Sequence, residues 1–369
     1  MNNKIKNIVV TMTMVVFLTL QIILCAVAFV HPAERSDSER RELAQFPKEI
    51  TWTGILEKTT MDEFEAYTLD QFPFREFFRC IKAHFQMDVL RIKENNGLAV
   101  EDGYIAKIES EFNPGLVDYS IGRLEYIYEQ YLSGSNEKTY VSIIPDKNYF
   151  FGKEFGYPAP DYDALVNKVR ASLPGMTYID LFDCLSLEDY YRTDNHWSQD
   201  KLGNVVNKLA TEMEISDGLS GNYTEHRLEG FEGVYFSQSA LYPQPDTLVY
   251  LTNDILDACT VFDYEDGETY GIYNQEQFEG EDSYNFFLSG TRALLRIDNP
   301  NATTDKELII FRDSFGSSLA PLLVEGYKSV YLVDIRYVAP DFLGNLIEFE
   351  GKDVLFLYSA SILDQKAFK

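Results

Sequence analysis

Histidine is scarce in this chain, with four among 369 residues. That confines acid–base chemistry near neutral pH to a few positions. Cysteine is as rare: four residues, none in a C-x-x-C pair, which argues against zinc-knuckle and dithiol redox chemistry. Beyond Cys25 there remain Cys80, Cys184 and Cys259, enough for one disulfide at most and read here as buried thiols. Neither G-x-x-x-x-G-K nor G-x-G-x-x-G occurs, so the usual glycine-rich cradles for nucleotide phosphates are missing and no cofactor is expected. Basic residues are outnumbered, 32 Lys and Arg against 59 Asp and Glu, for a formal charge of -27. Such an acidic surface repels phosphate backbones, which argues against a nucleic-acid partner. It also disfavours adsorption to anionic lipid, so attachment to a membrane has to be hydrophobic.

Hydrophobic residues make up 45% of the chain and charged ones 25%, the balance of a globular protein rather than a disordered one. The longest apolar run is uncharged from Ile8 to Val30 and follows Lys4 and Lys6. About 20 apolar residues cross a bilayer as a helix. Ala26-Val27-Ala28 also offers a small-x-small cleavage site, but the run exceeds the usual ~7–15-residue signal core, so an uncleaved anchor is favoured. Leu24 is too bulky to make Cys25 a lipidation site. Arg35, Arg40 and Arg41 nearly balance the flanking charges, and the short N-terminal tail favours a domain outside the cytoplasm.

Three parts are expected: an anchor over 1–35, a helical segment over 36–135, and an α/β domain over 136–369. In the second, apolar spacing predicts helices over Asp62–Phe72 and Arg75–Ile92, a hairpin turn at Glu101-Asp102-Gly103, and a helix opening at Asn113-Pro114. From Thr139 short apolar runs alternate with helical ones: strands at Tyr140–Ile144 and Met176–Leu181, helices at Asp161–Leu173 and Ser198–Met213. That alternation implies a parallel sheet with helices on both faces. It stops over about 215–290, a Gly-, Tyr- and acid-rich stretch read as an insertion or long active-site loops, with a weak strand at Thr247–Leu251. It resumes with strands at Leu308–Phe311, Ser329–Val333 and Asp353–Leu357 and a helix near Asp341–Phe349.

The chemistry-bearing residues fall at two strand ends of that scheme. Leu308-Ile309-Ile310-Phe311 runs into Arg312-Asp313-Ser314-Phe315-Gly316, and then into a run able to open a helix. A serine at a sharp strand-to-helix junction stands clear of the sheet beside free amides, which suits a nucleophile and part of an oxyanion hole. It equally suits a helix cap. The histidine best placed to serve it is His196, in Thr193-Asp194-Asn195-His196-Trp197; His31 abuts the apolar run, His84 lies in a helical pattern and His226 has no sequence neighbour of the right kind. Asp194 and His196, two apart on an extended loop, can point the same way, so the carboxylate can hold the imidazole tautomer. A metal site lacks a third ligand in any matching motif.

Taken together, the Thr193–Trp197 and Arg312–Phe315 blocks resemble the DHHW proteins and the alginate O-acetyltransferase-like SGNH hydrolases. So do Glu39–Pro47, Phe64–Arg75, Pro145-Asp146-Lys147, Asp282-Ser283-Tyr284 with Phe287–Gly290, and Val333–Tyr337. The resemblance implies a flavodoxin-like, three-layer α/β/α fold with a parallel sheet, in which the serine block follows the Asp-x-His block. It implies Ser314 as nucleophile, His196 as general base and Asp194 as its orienter. Asn195 stands where the family name has a second histidine. Relatives of this kind move acetyl groups onto exported polysaccharides, often beside a membrane-bound O-acyltransferase that brings acetyl across the membrane. The expectation is therefore a membrane-anchored, extracytoplasmic enzyme of the cell envelope that O-acetylates a cell-surface glycan. An acetyl esterase with the same triad, or a non-catalytic glycan-binding protein, are its rivals. Tyr284, Arg336, Tyr337, Lys147 and Trp197 are candidate contacts for donor or sugar.

Overall fold

The computed structural model describes residues 3–134 and 138–369; the expected domain boundary at 135/136 falls outside the described residues. Two compact units result, Met1–Asn95 with Ser237–Tyr242, and Asn96–Phe236 with Pro243–Lys369.

The first unit begins with α1 (Asn3–Val30), whose Ile5–Val30 portion is long and apolar enough to cross a membrane and is unburied. Then come α2 (Thr59–Asp70) and α3 (Arg75–His84), the latter prolonged by a π-helical turn at Phe85–Val89. Phe74 sits between them at φ 60°, turning the chain where Pro73 forbids continuation.

The second unit opens with a hairpin, β1 (Leu98–Glu101) and β2 (Tyr104–Lys107). Asp102 and Gly103 supply the two positive φ values of its turn, 47° and 82°. In α4 (Pro114–Tyr131) Pro114 opens the first turn, and the Asn113 side chain accepts from the amides of Gly115 and Leu116. Then follow β3 (Thr139–Ile144), α5 (Lys147–Phe155), α6 (Tyr162–Ser172), β4 (Thr177–Tyr178) and α7 (Gly203–Glu212). Among the elements that follow are β5 (Thr224–Phe231), β6 (Asp246–Thr252), β7 (Thr260–Asp263), β8 (Thr269–Tyr270), β9 (Leu294–Asp298), β10 (Glu307–Arg312), α8 (Gly316–Leu323), β11 (Ser329–Val333) and β12 (Lys352–Ser359).

The central sheet runs β8-β7-β9-β11-β10-β12-β3-β4. From β11 to β4 every pairing is parallel; β8, β7 and β9 join antiparallel. Alternate residues of β10 feed two cores: Leu308 and Ile310 pack with α7 and α8, Ile309 and Phe311 with α4 and α6. Helical layers therefore cover both faces, the SGNH-like α/β arrangement.

Several details depart from the periodicity reading. The strand expected at 176–181 is only Thr177–Tyr178, and the Ser198 helix starts as a 3-10 turn, Gln199–Lys201, before α7. Near 341–349 only Pro340–Phe342 and Leu343–Leu346 are helical, because Ile347 adopts an extended backbone. Part of the 215–290 stretch belongs to the sheet itself through β7 and β8. Those strands are short, β7 buries only every second residue and β8 is the edge strand, so they carry little apolar signal. The expectation of three buried thiols holds for Cys259 alone; Cys80 and Cys184 are half-buried.

Candidate active site

β10 lies mid-sheet, and the chain leaves it toward β11 on one side and returns through β12 on the other. In open α/β sheets such a reversal leaves a crevice at the carboxyl ends of the strands. Ser314 stands at that end of β10. From Leu308 to Tyr327 every residue is buried except Ser314.

Asp313 shapes the turn that lifts it. One carboxylate oxygen accepts the Phe315 amide at 3.0 Å and the other the Ser359 amide at 2.9 Å. The Gly316 and Ser317 amides donate to the carbonyls of Asp313 and Ser314. Gly316 is required by close approach: a Cβ there would lie 2.8 Å from that of Arg312. The Ser314 amide itself makes no hydrogen bond among the described residues, so it is available to an incoming oxyanion.

The second component is a loop folded back on itself. Tyr190 and Trp197 form an antiparallel bridge, and the Tyr191 amide donates to the His196 carbonyl at 3.1 Å. Asp246 ties the loop down by accepting from the amides of Arg192 and Thr193 and from the Thr193 hydroxyl. Within this frame Asp194 Oδ1 accepts from the His196 amide at 2.9 Å and faces His196 Nδ1 at 2.5 Å. His196 Nε2 lies 2.7 Å from Ser314 Oγ. Asp194, His196 and Ser314 thus form one continuous chain of hydrogen bonds.

Burial alone would raise the Asp194 carboxyl. The charge and hydrogen bond of His196 and the His196 and Val234 amides outweigh it and hold the group below the ordinary carboxylate range. The Val234 amide donates to Oδ2 at 2.7 Å. Nothing in sequence marked Gly233-Val234 for this role, because the pairing is made across the fold. Gly233 is packed so tightly that a Cβ would sit 2.4 Å from both the Thr193 carbonyl oxygen and the Asp194 Cβ. Gly233→Ala is therefore expected to displace Asp194 and lower ester turnover by about 10- to 100-fold, since small misplacements carry such costs. Hydrolysis rates beside a thermal melt would check this: loss of rate without loss of fold is the expected pattern.

Two aromatic rings fix the imidazole. Tyr284 stacks on His196 with centroids 3.8 Å apart and planes 6° from parallel, and its hydroxyl pairs with Ser318 Oγ at 2.8 Å. Phe315 packs against the ring at 4.8 Å. Tyr284 is carried by a loop in which Leu288, Ser289 and Gly290 all adopt positive φ, a backbone that non-glycine residues hold only under surrounding constraint. Trp197 is fully buried and donates from Nε1 toward Phe315 O and Ser318 Oγ, joining the histidine loop to the serine helix.

Lys147 lies under the loop rather than in the open crevice. Buried, its Nζ donates to the carbonyls of Arg192 at 2.8 Å and Asp194 at 2.9 Å. Burial pulls its pKa down to about 7, against the opposing pull of Asp246 and Asp194. A neutral amine has two protons, enough for both carbonyls. Between pH 7 and 10.5 the unfolded lysine is protonated and the folded one is not, so stability should rise with pH across that window, by up to about 1.4 kcal/mol per unit. Denaturant melts of wild type and Lys147→Met over pH 7–10 test it; the variant should lack this part of the slope.

Arg336 is held by Asp334 through Nε at 2.9 and 3.1 Å and Nη2 at 2.6 Å, whereas the neighbouring Tyr337 is exposed. Of the other histidines, His84 pairs with Asp88. His226, expected to stand alone, meets Thr252 Oγ1 at 2.9 Å and stacks on Tyr250 across the β5/β6 hairpin.

Residues 176–333 match the model of the DHHW protein family, a span that contains Asp194, His196 and Ser314. A DHHW family protein from Eubacterium siraeum has a similar structure, with a TM-score of 0.60 and 21% identity over 74% of this chain and 94% of that one. Bacillus cereus PatB1 follows at 0.56 and 20% in its form with a sulfonyl adduct, covering 74% of this chain and 96% of that one. Without the adduct it gives 0.53 and 19%, over 74% and 99%. No curated protein sequence matches. The chain is thus similar to the DHHW proteins in sequence over residues 176–333 and in fold over most of its length.

Proposed function

We propose that this protein is an O-acetyltransferase that moves acetyl groups onto a cell-surface or exported polysaccharide through an acetyl-serine, with α1 as a membrane anchor and the catalytic unit outside the cytoplasm. The observation that carries the reading is the hydrogen-bonded chain from buried Asp194 through His196 to a Ser314 that alone reaches the surface of its segment.

In the first half-reaction, Ser314 Oγ attacks the acetyl carbonyl as His196 Nε2 takes its proton. The Oγ–C bond forms, the donor's C–O or C–S bond breaks, and His196 returns the proton to the leaving group. In the second, a sugar hydroxyl attacks the acetyl-serine, gives its proton to His196, and leaves as the acetyl ester while Ser314 regains a proton. The Ser314 amide stabilises the oxyanion in both. Asp194 supports the imidazolium that forms in each half. The resemblance to the alginate O-acetyltransferase-like proteins adds a membrane-bound O-acyltransferase as the partner that supplies acetyl.

The test is intact mass of the full chain after incubation with p-nitrophenyl acetate, with and without a soluble oligosaccharide. One added acetyl group that transfers to the sugar is the expected result. Free acetate as the only product would favour an acetyl esterase, and absence of both adduct and hydrolysis would favour a glycan-binding protein.

A further inference from the structure

α3 is built inside out. On its polar side Arg75 and Arg79 are turned into the first unit, where their side chains are 16% and 11% exposed. They pair there with Glu39, and Arg79 also donates to the carbonyl of Gln238 at 3.0 Å. On the other side Phe74, Phe77, Phe78, Ile81, Phe85 and Val89 recur at helical spacing through the π-helical turn, and all are exposed, Phe74 at 74% and Phe77 at 62%. A helix at the surface of a water-soluble unit buries such a stripe. A contiguous exposed one marks an interaction surface.

The rest of the unit indicates what covers it. The α2–α3 corner is fastened to the end of the apolar helix α1. Gln71 Oε1 accepts the Ala33 amide at 2.8 Å, Gln71 Nε2 donates to the Ala33 carbonyl at 2.9 Å, and the Tyr67 hydroxyl reaches the Ala28 carbonyl at 3.4 Å. Phe46 packs edge-on between Phe29 and Tyr67, with centroids 5.7 and 5.3 Å away. Phe72, Pro73, Phe74 and Arg75 line one pocket with Val27, Ala28 and His31. The outward apolar stripe therefore starts at the level where α1 leaves hydrocarbon. The chain's charge of -27 leaves apolar burial rather than attraction to anionic headgroups as the driving force.

We infer that α3 and the turn after it lie in the interface of the same membrane that α1 crosses, with the Phe74–Val89 stripe sunk among the acyl chains. This rests on the anchor reading of α1. A second, interfacial helix fixes the first unit's orientation to the bilayer, which a single spanning helix leaves free to rotate about its axis.

The full chain is reconstituted in zwitterionic phosphatidylcholine vesicles with p-benzoylphenylalanine replacing Phe78, or in a separate preparation Phe17, then irradiated and weighed intact. Gain of one phosphatidylcholine mass at both positions is the expected result. Lipid adducts at position 17 without any at 78 overturn the inference and leave the anchor standing. Crosslinks from 78 to polypeptide also overturn it, in favour of a second copy of the chain. Absence of lipid adducts at 17 removes the anchor reading and the inference together.

Discussion

Ser314→Ala should reduce ester hydrolysis and acetyl transfer by about 10⁴- to 10⁶-fold and abolish the acetyl adduct, because no other group stands within reach of His196 Nε2 in the chain of hydrogen bonds described. The residual rate would come from binding and the amide at position 314, which the substitution retains. Stability should change little. The hydroxyl is partly exposed and makes one side-chain hydrogen bond, worth about 1 kcal/mol net. Parallel measurement of p-nitrophenyl acetate hydrolysis, intact mass and thermal melting separates the two effects. A variant that keeps most of its activity while remaining folded would end the nucleophile assignment.

Asp194→Asn should cost about 10⁴-fold in turnover, through the imidazole tautomer rather than through packing. The carboxylate accepts on both oxygens: Oδ1 from His196, Oδ2 from the Val234 amide. An asparagine has one acceptor. If its oxygen faces Val234, its NH₂ takes the place of Oδ1: the His196 amide loses its acceptor, and Nδ1 must be the bare nitrogen, leaving the proton on Nε2 and nothing to accept the Ser314 proton. If its oxygen faces the ring, two N–H donors confront each other in a buried site, an arrangement costing about 1–3 kcal/mol. The stability effect has a definite sign. The native carboxyl is held below its ordinary value, so its contribution is present above about pH 4 and lost as pH falls through the depressed folded value. The variant's stability deficit should therefore be largest at neutral pH and shrink in acid, as acid titrations of the two melts would show.

Much of this arrangement could be read in the residues. Leu308–Phe311 had no polar side to offer water and so had to be an interior strand, which put Ser314 at a strand end. The Asn113-Pro114 cap, the Asp102-Gly103 turn and the Ile8–Val30 run are local, each determined by a few neighbouring side chains and their φ preferences. Residue chemistry at two strand ends singled out Asp194, His196 and Ser314, and resemblance over several ordered blocks implied their roles.

Other features depended on contacts made far along the chain. β7 and β8 are too short and too polar to announce themselves, and they form because β9 presents an open edge. Lys147 reads as a charged residue near a strand end and a candidate contact for donor or sugar; in the fold it is buried beneath Arg192 and Asp194, where desolvation draws it toward neutrality. Trp197 and Tyr284 read as candidate contacts for donor or sugar, yet one is sealed in the core and the other lies flat on the imidazole.

By itself, then, the sequence determined the class of fold, the apolar N-terminal helix and the three residues able to make a charge-supported serine, since these follow from local periodicity and residue chemistry. Only the tertiary structure decided how that trio is held. Gly233 had to lack a side chain so that Val234 could reach Asp194, and Tyr284 had to cross from another loop to cover the ring. The same holds for α3: its apolar stripe is plain in the sequence and would ordinarily point inward. The ion pairs of Arg75 and Arg79 with Glu39 turn its polar side inward instead. Close packing and long-range hydrogen bonds have no period along the chain, which is why no window of sequence displays them.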